Sequence, residues 1–179
     1  DISESRPMDR GAAMSEAVAA MGRLSDRHGV LVCEGSGSPV ELNMMDRDIA
    51  NVGLMRETGI NAVLVGDIER GGVFAAIYGT WRLLPDDVRG QVRGFVINRF
   101  RGDASILADG IARIEGMTGM RCLGVLPYMD LRFPEEDSLS DSQGRLSGTD
   151  ARSAFMANID EFTDTAESSG FDFETLESM

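Results

Sequence analysis

Apolar residues along this chain recur at spacings of three and four in some stretches and in short continuous runs in others, so the pattern predicts amphipathic helices between buried strands. Over residues 11–27 alanines, methionines, Val18 and Leu24 keep a helical spacing that Gly29 breaks. Residues 30–33 form a continuous apolar run that ends in Glu34-Gly35-Ser36-Gly37, which predicts a first strand delivering an acid to its carboxyl end. A second helix is predicted over 46–58, with Ile49, Val52, Leu54 and Met55 facing the core and Gly59 as terminator. Strands over 62–65, 93–98 and 122–126 alternate with helices over 72–83 and 104–118, and Pro85, Gly119 and Pro127 punctuate them. Beyond Pro134 the Ser-, Asp- and Gly-rich residues 135–149 predict an exposed loop. Phe155, Ile159 and Phe162 then predict a last helix over 150–168, ended by Gly170.

Strands alternating with helices at this spacing indicate βαβ units, right-handed crossovers and a parallel sheet. In such sheets ligands bind at the carboxyl ends of the strands. The strand ends at Glu34, Asp67 and Asn98 therefore converge, in expectation, on one site. At 179 residues and 42% hydrophobic content the chain can bury a sizeable core. No apolar run approaches the roughly 18 residues of a membrane span, so neither a membrane partner nor a secreted setting is expected, and the cytoplasm is the expected location. Cys33 and Cys122 each lie in an apolar run and read as buried free thiols rather than a disulfide. His28, the only histidine, reads as a surface or turn residue.

The net charge of -13 is concentrated late. From Asp130 onward thirteen acids face three arginines, which leaves only -3 for the first 129 residues. No basic cluster is available to neutralise phosphates along a strand, so a nucleic-acid partner is not expected. All seventeen basic residues are arginine. Without lysine, no phosphate-binding loop of the form GxxxxGK[ST] occurs in the sequence.

Candidate chemistry lies at the predicted strand ends. Glu34 is placed to hold Mg²⁺ against substrate phosphates, or else to cap a turn or pair with an arginine. Glu41, Asn43, Asp46 and Asp48 follow it closely, and the two aspartates could equally cap the next helix. Gly71-Gly72, after Asp67-Ile68-Glu69-Arg70, could form an anion-binding nest at the start of a helix. Asn98 carries both a donor and an acceptor suited to a base edge. The bland alternative there is a turn held by Asn98 and Asp103, with Arg99 and Arg101 pairing to nearby carboxylates.

Taken in order, the blocks EGSGSPVELN (34–43), DIAN (48–51), GDIERGGVFAAIYGT (66–80), GFVINRFRGD (94–103), LGVLPY (123–128) and EDSLS (136–140) resemble cobyric acid synthase, a glutamine-dependent amidotransferase of cobalamin biosynthesis. Ser36, Val40, Gly66 and Glu69 are mild departures from the family pattern. The resemblance implies a three-layer P-loop-type α/β domain with a mostly parallel sheet, related to dethiobiotin synthetase and incomplete at the N-terminus. Residues 1–134 would be the partial synthetase domain and 135–179 an acidic linker with a C-terminal helix. The implied reaction is ATP-dependent amidation of corrinoid side-chain carboxylates, with Mg²⁺ as cofactor and ammonia supplied by a glutaminase domain or chain. Glu34 would be the Mg²⁺ ligand. Asn98 and Arg99, with Gly71 and Gly72, would lie against the nucleotide, and Glu41, Asp48 and Asp67 would serve the chemistry. The family's phosphate-binding loop and its glutaminase cysteine have no counterpart among these residues. Two further readings are a non-catalytic corrinoid-binding protein and a regulatory or partitioning ATPase of P-loop lineage.

A sheet lacking its first strand exposes backbone groups that template pairing, so the isolated chain is expected to associate with a complementing subunit or with itself. Sedimentation analysis should show oligomers; a monomer that unfolds in one cooperative thermal transition would refute this.

Overall fold

The computed structural model describes residues 9–130 and 151–179, so the predicted loop over 135–149 and the block at 136–140 lie outside the described residues. The chain is an α/β protein in which the three strands among the described residues form one parallel sheet in the order β1-β2-β3. The strands are β1 (Ala62–Asp67), β2 (Val92–Phe100) and β3 (Arg121–Pro127). Helices α1 (Arg10–Ser25) and α2 (Val52–Thr58) precede them, α3 (Val73–Leu83) and α4 (Asp86–Arg89) join β1 to β2, and α5 (Ala108–Thr118) joins β2 to β3. Two more, α6 (Ala151–Ser168) and α7 (Phe173–Glu177), follow. The chain divides into two compact units, one of residues 1–62 and 78–93, the other of residues 63–77 and 94–179.

In the second unit β2 is the central strand, and Phe95 and Ile97 are wholly buried. Its parallel register against β3 sets Gly94 beside Arg121, Phe95 beside Cys122 and Ile97 beside Val125. Helices α6 and α7 both pack on β3. Val96, Leu123, Leu126 and Ala166 form a core there, flanked by Val63, Phe171, Phe173 and Met179. Close approach explains Gly124: a Cβ on it would stand 2.9 Å from the Phe171 ring. Gly66 is likewise closed off by Val73 at 2.7 Å, which seats the start of α3 against β1. Asp172 caps α7 by accepting from the Thr175 amide and hydroxyl, and those bonds hold its carboxyl below the usual aspartate range.

In the first unit α2 packs against α1 and α4, with Val52, Met55, Leu84, Val88 and Val92 buried. Arg89 closes the end of α3 there. Its guanidinium donates to the carbonyls of Trp81, Arg82 and Leu84, pairs with Asp86 at 2.6 Å and lies 5.3 Å from the Trp81 ring centroid. Those three carbonyls are among the groups a helix end leaves unsatisfied.

Three expectations are corrected. Residues 30–33 do not form a strand: Val30 is 70% and Val32 87% exposed, and the run takes no regular secondary structure. Apolar character alone does not make a strand, because its N–H and C=O groups must find a neighbouring strand, and among the described residues none pairs with this run. Cys33 is exposed in consequence, whereas Cys122 is partly buried and burial pushes its thiol up. The single helix expected over 46–58 is broken into a 3-10 turn at Met45–Arg47 and the helix α2, for a reason that belongs to the site. Short α4 and α7 escaped the pattern because four or five residues carry too little periodicity to register.

Replacing Arg89 by methionine keeps much of its aliphatic packing and removes the cap. Urea denaturation should show a loss of about 2 kcal/mol, since bonds from a charged donor contribute about 1.5–3 kcal/mol and the freed carbonyls partly recover water. Arg89→Lys should recover less than half of that, because an ammonium cannot span three carbonyls in the fork geometry.

Candidate functional site

Two clusters contain the residues singled out above, one in each unit. The first is built around Asp48. Its carboxylate accepts from the amides of Ala50 and Asn51, each at 3.1 Å, and of Gly53 at 3.3 Å. Three such bonds bend the chain between the 3-10 turn and α2, which is why one continuous helix does not form. The N-cap of α2 is Asn51, and of the two aspartates it is Asp48 whose side chain takes up amides at this helix start. Asn51 then donates from Nδ2 to the Ser36 carbonyl at 2.8 Å and so ties the glycine loop to α2. No side chain fits at Gly35, where a Cβ would overlap the Asn51 amide.

These tethers shape a cavity of about 340 Å³ lined by Ser36, Gly37, Pro39, Glu41, Met44 and Asp48, among others. Its lining is mostly apolar, with Glu41 and Asp48 as the acids and Arg47 as the cation. Glu41 is exposed, and its carbonyl accepts from the Met44 amide in the turn that carries it. Glu34 is exposed on the irregular segment just before the loop, not at the end of a strand as expected, and, among the described residues, carries no ion pair or hydrogen bond. The described residues include no group of three or more His, Cys, Asp or Glu side chains able to cage a metal. A single unengaged carboxylate does fit the way Mg²⁺ is commonly held, by one or two acids with substrate phosphates and waters completing the octahedron.

The second cluster sits where the three parallel strands end. Arg99 pairs with Asp67 at 3.5 Å and with Glu69 at 2.6 Å. Arg101 pairs with the other Glu69 oxygen at 3.1 Å and lies 3.4 Å from the Tyr128 ring centroid, in cation–π range. The Glu69 bond raises the Arg101 pKa above its ordinary value. Backbone bonds fix the same edge: Ile68 N–H donates to Asn98 O at 3.1 Å, and Tyr128 N–H donates to Phe100 O at 2.8 Å. Asp67 also accepts from the Glu69 amide at 2.8 Å. Gly71 and Gly72 both take left-handed φ, 74° and 70°, immediately before α3; the Gly71 amide is engaged by the Ile68 carbonyl.

Asn98 is partly buried near the end of β2, and its Oδ1 accepts from the Arg99 amide at 2.9 Å. Arg99 is the non-glycine residue among those described with positive φ, at 65°. An L-residue held there costs about 1 kcal/mol, and such strain collects at functional positions. The geometry thus joins both readings of this stretch. Asn98 does hold a turn and the arginines do pair with acids, while the whole assembly occupies the ligand-binding edge of a parallel sheet. Glu69, Arg101 and Tyr128 complete the cluster without having been singled out as site residues. Their spacing to one another along the chain carries no signal, since they meet only after three strands align.

The class is therefore an α/β protein with a parallel sheet and an ion-paired cluster at its carboxyl edge. No family model matches the chain, and no solved structure matches it. Curated sequences do. A probable cobyric acid synthase of Methanoculleus marisnigri is 49% identical over 155 residues, covering 84% of this chain and 32% of its own length. One of Methanosarcina mazei is 54% identical over 121 residues, covering 68% of this chain and 25% of its own. The cobyric acid synthase of Salmonella arizonae is 43% identical over 154 residues, 83% of this chain and 30% of its own. Over the segment it spans, this chain belongs to the cobyric acid synthase family, and it covers about a third of the length of the curated relatives it matches.

Replacing Asp48 by alanine should leave three backbone donors without their acceptor and cost about 1–2 kcal/mol, as a lost N-cap does. Backbone hydrogen exchange should quicken at Ala50, Asn51 and Gly53. Asp48→Asn should restore most of the protection, because an amide oxygen still accepts.

Proposed function

We propose that this segment forms part of the amidation site of a cobyric acid synthase, where ATP activates corrinoid side-chain carboxylates for attack by ammonia. Family membership supports the cobalamin-biosynthetic assignment, and the carrying structural observation is that Asp67, Asn98 and Tyr128 sit at the carboxyl ends of parallel strands. In this reading residues 1–134 belong to a P-loop-type synthetase domain. The phosphate-binding loop and the glutaminase are contributed by further chain or by a partner subunit.

The corrinoid carboxylate attacks the γ-phosphorus of ATP, and ADP leaves with the bonding electrons. Ammonia then adds to the acyl carbon of the acyl phosphate, phosphate departs and an amide remains. Glu34 would hold Mg²⁺, which would supply positive charge against the transferring phosphoryl group. Asn98 offers its amide to the adenine edge. The mostly apolar cavity between Ser36 and Ala50 accepts the corrinoid periphery, with Glu41 and Asp48 at its polar side, and Gly71 and Gly72 let backbone approach the phosphates. Asp67, 40% exposed at its side chain at the end of β1, would serve the amidation chemistry.

The test uses the full-length synthase carrying these residues, given cobyrinic acid a,c-diamide, glutamine and Mg·ATP. Glu34→Gln should lower kcat about 100-fold, in line with the loss of one electrostatic contact to the reacting centre. Asn98→Ala should raise the ATP KM about tenfold, equivalent to about 1.4 kcal/mol. Absence of amide product from the wild-type protein, or binding of the corrinoid without any ATP hydrolysis, would refute the proposal.

A further inference from the structure

The second cluster contains a side chain whose geometry suits orientation of other groups better than contact with a ligand. Arg99 is held at φ 65°, a conformation glycine would adopt without penalty, and yet the position carries the largest basic side chain. That backbone aims one guanidinium between two acids from the end of β1: Nη1 reaches Asp67 at 3.5 Å and Nη2 reaches Glu69 at 2.6 Å. Glu69 is in turn fixed from its other oxygen by Arg101, which lies over Tyr128 beyond β3. A continuous chain of contacts, Asp67 to Arg99 to Glu69 to Arg101 to Tyr128, thus ties the ends of all three strands together. Only its first member has a loose bond, and the Asp67 carboxylate otherwise takes one amide, from Glu69.

We propose that Arg99 is a positioning residue, which sets the Asp67 carboxylate for the amidation chemistry and does not itself bind the nucleotide. This rests on the function proposed above. Both guanidinium ends are engaged by acids, which leaves little of the fork to receive a phosphate. A lysine could approach either acid but could not bridge both with a fixed planar fork. The left-handed backbone is the local cost of that aim.

The diagnostic variant is Arg99→Gly, which removes the guanidinium and also relieves the backbone. In the full-length synthase kcat should fall about 100-fold while the ATP KM stays within threefold, and the thermal midpoint should be unchanged or higher. Added guanidinium ion should recover at least tenfold of the lost turnover, and Arg99→Lys should remain below Arg99→Gly supplemented in this way. A rise in ATP KM with kcat preserved would make Arg99 a nucleotide contact and overturn the proposal. A lowered thermal midpoint, or loss of turnover that guanidinium does not relieve, would reduce it to a structural residue. If the wild-type synthase forms no amide, the proposed function fails and the positioning role is still decided by side-chain couplings measured by NMR on this chain. Asp67 should occupy one χ1 rotamer in the parent and average over several in Arg99→Gly; a single rotamer retained in both would overturn it.

Discussion

A parallel strand exists only beside a neighbour, and that constraint governs which parts of this chain are ordered for chemistry. β2 has a partner on each side, so its backbone groups are satisfied and Phe95 and Ile97 are wholly buried. The pairing also brings Asp67, Asn98 and Tyr128 to the same edge, because parallel strands all finish at one end of the sheet. Residues 30–33 have strand-like composition without a partner among the described residues, and Val30 and Val32 remain largely exposed. The difference between the two stretches is pairing, not hydrophobicity.

Within that frame the two clusters are stabilised in different ways. Around Asp48 the work is done by a carboxylate that accepts backbone amides, a partly buried arrangement that fixes loop shape. At the strand ends the side chains are joined by exposed ion pairs, which contribute little to folding stability. A loop that must hold an apolar cavity benefits from the first kind of support. Groups that must meet charge appearing during a reaction benefit from the second, since their orientation is set before charge develops.

Much of this was legible in the residues. Strands 62–65, 93–98 and 122–126 appear as β1, β2 and β3 with ends extended by up to two residues, helices α1, α3 and α6 stand where the periodicity put them, and the helix expected over 104–118 opens as a 3-10 turn at Ala104–Leu107 before α5. The ordered motif blocks also identified the family correctly. Less legible was anything decided by tertiary pairing. The run at 30–33 looked like a strand because composition reports burial preference and not the presence of a neighbour. The broken helix at Asp48 followed from side-chain acceptance of amides, which competes with helix formation locally. Glu69 and Tyr128 are 59 residues apart in sequence yet belong to one contact chain, and no local pattern announces that.

The all-arginine composition gains a local meaning from the strand ends. At an exposed pair such as Arg23 with Glu16, 2.8 Å apart on α1, an ammonium would serve as well as a guanidinium. At Arg99 the requirement is stricter, since one cation must meet two acids from different directions while its backbone is held left-handed. At Arg101 a flat cation must meet Glu69 and also lie against the Tyr128 ring. Both demands call for a planar, permanently charged fork. The bias that looks uniform along the chain therefore divides into positions where arginine is merely one of two adequate cations and positions where the geometry admits no other.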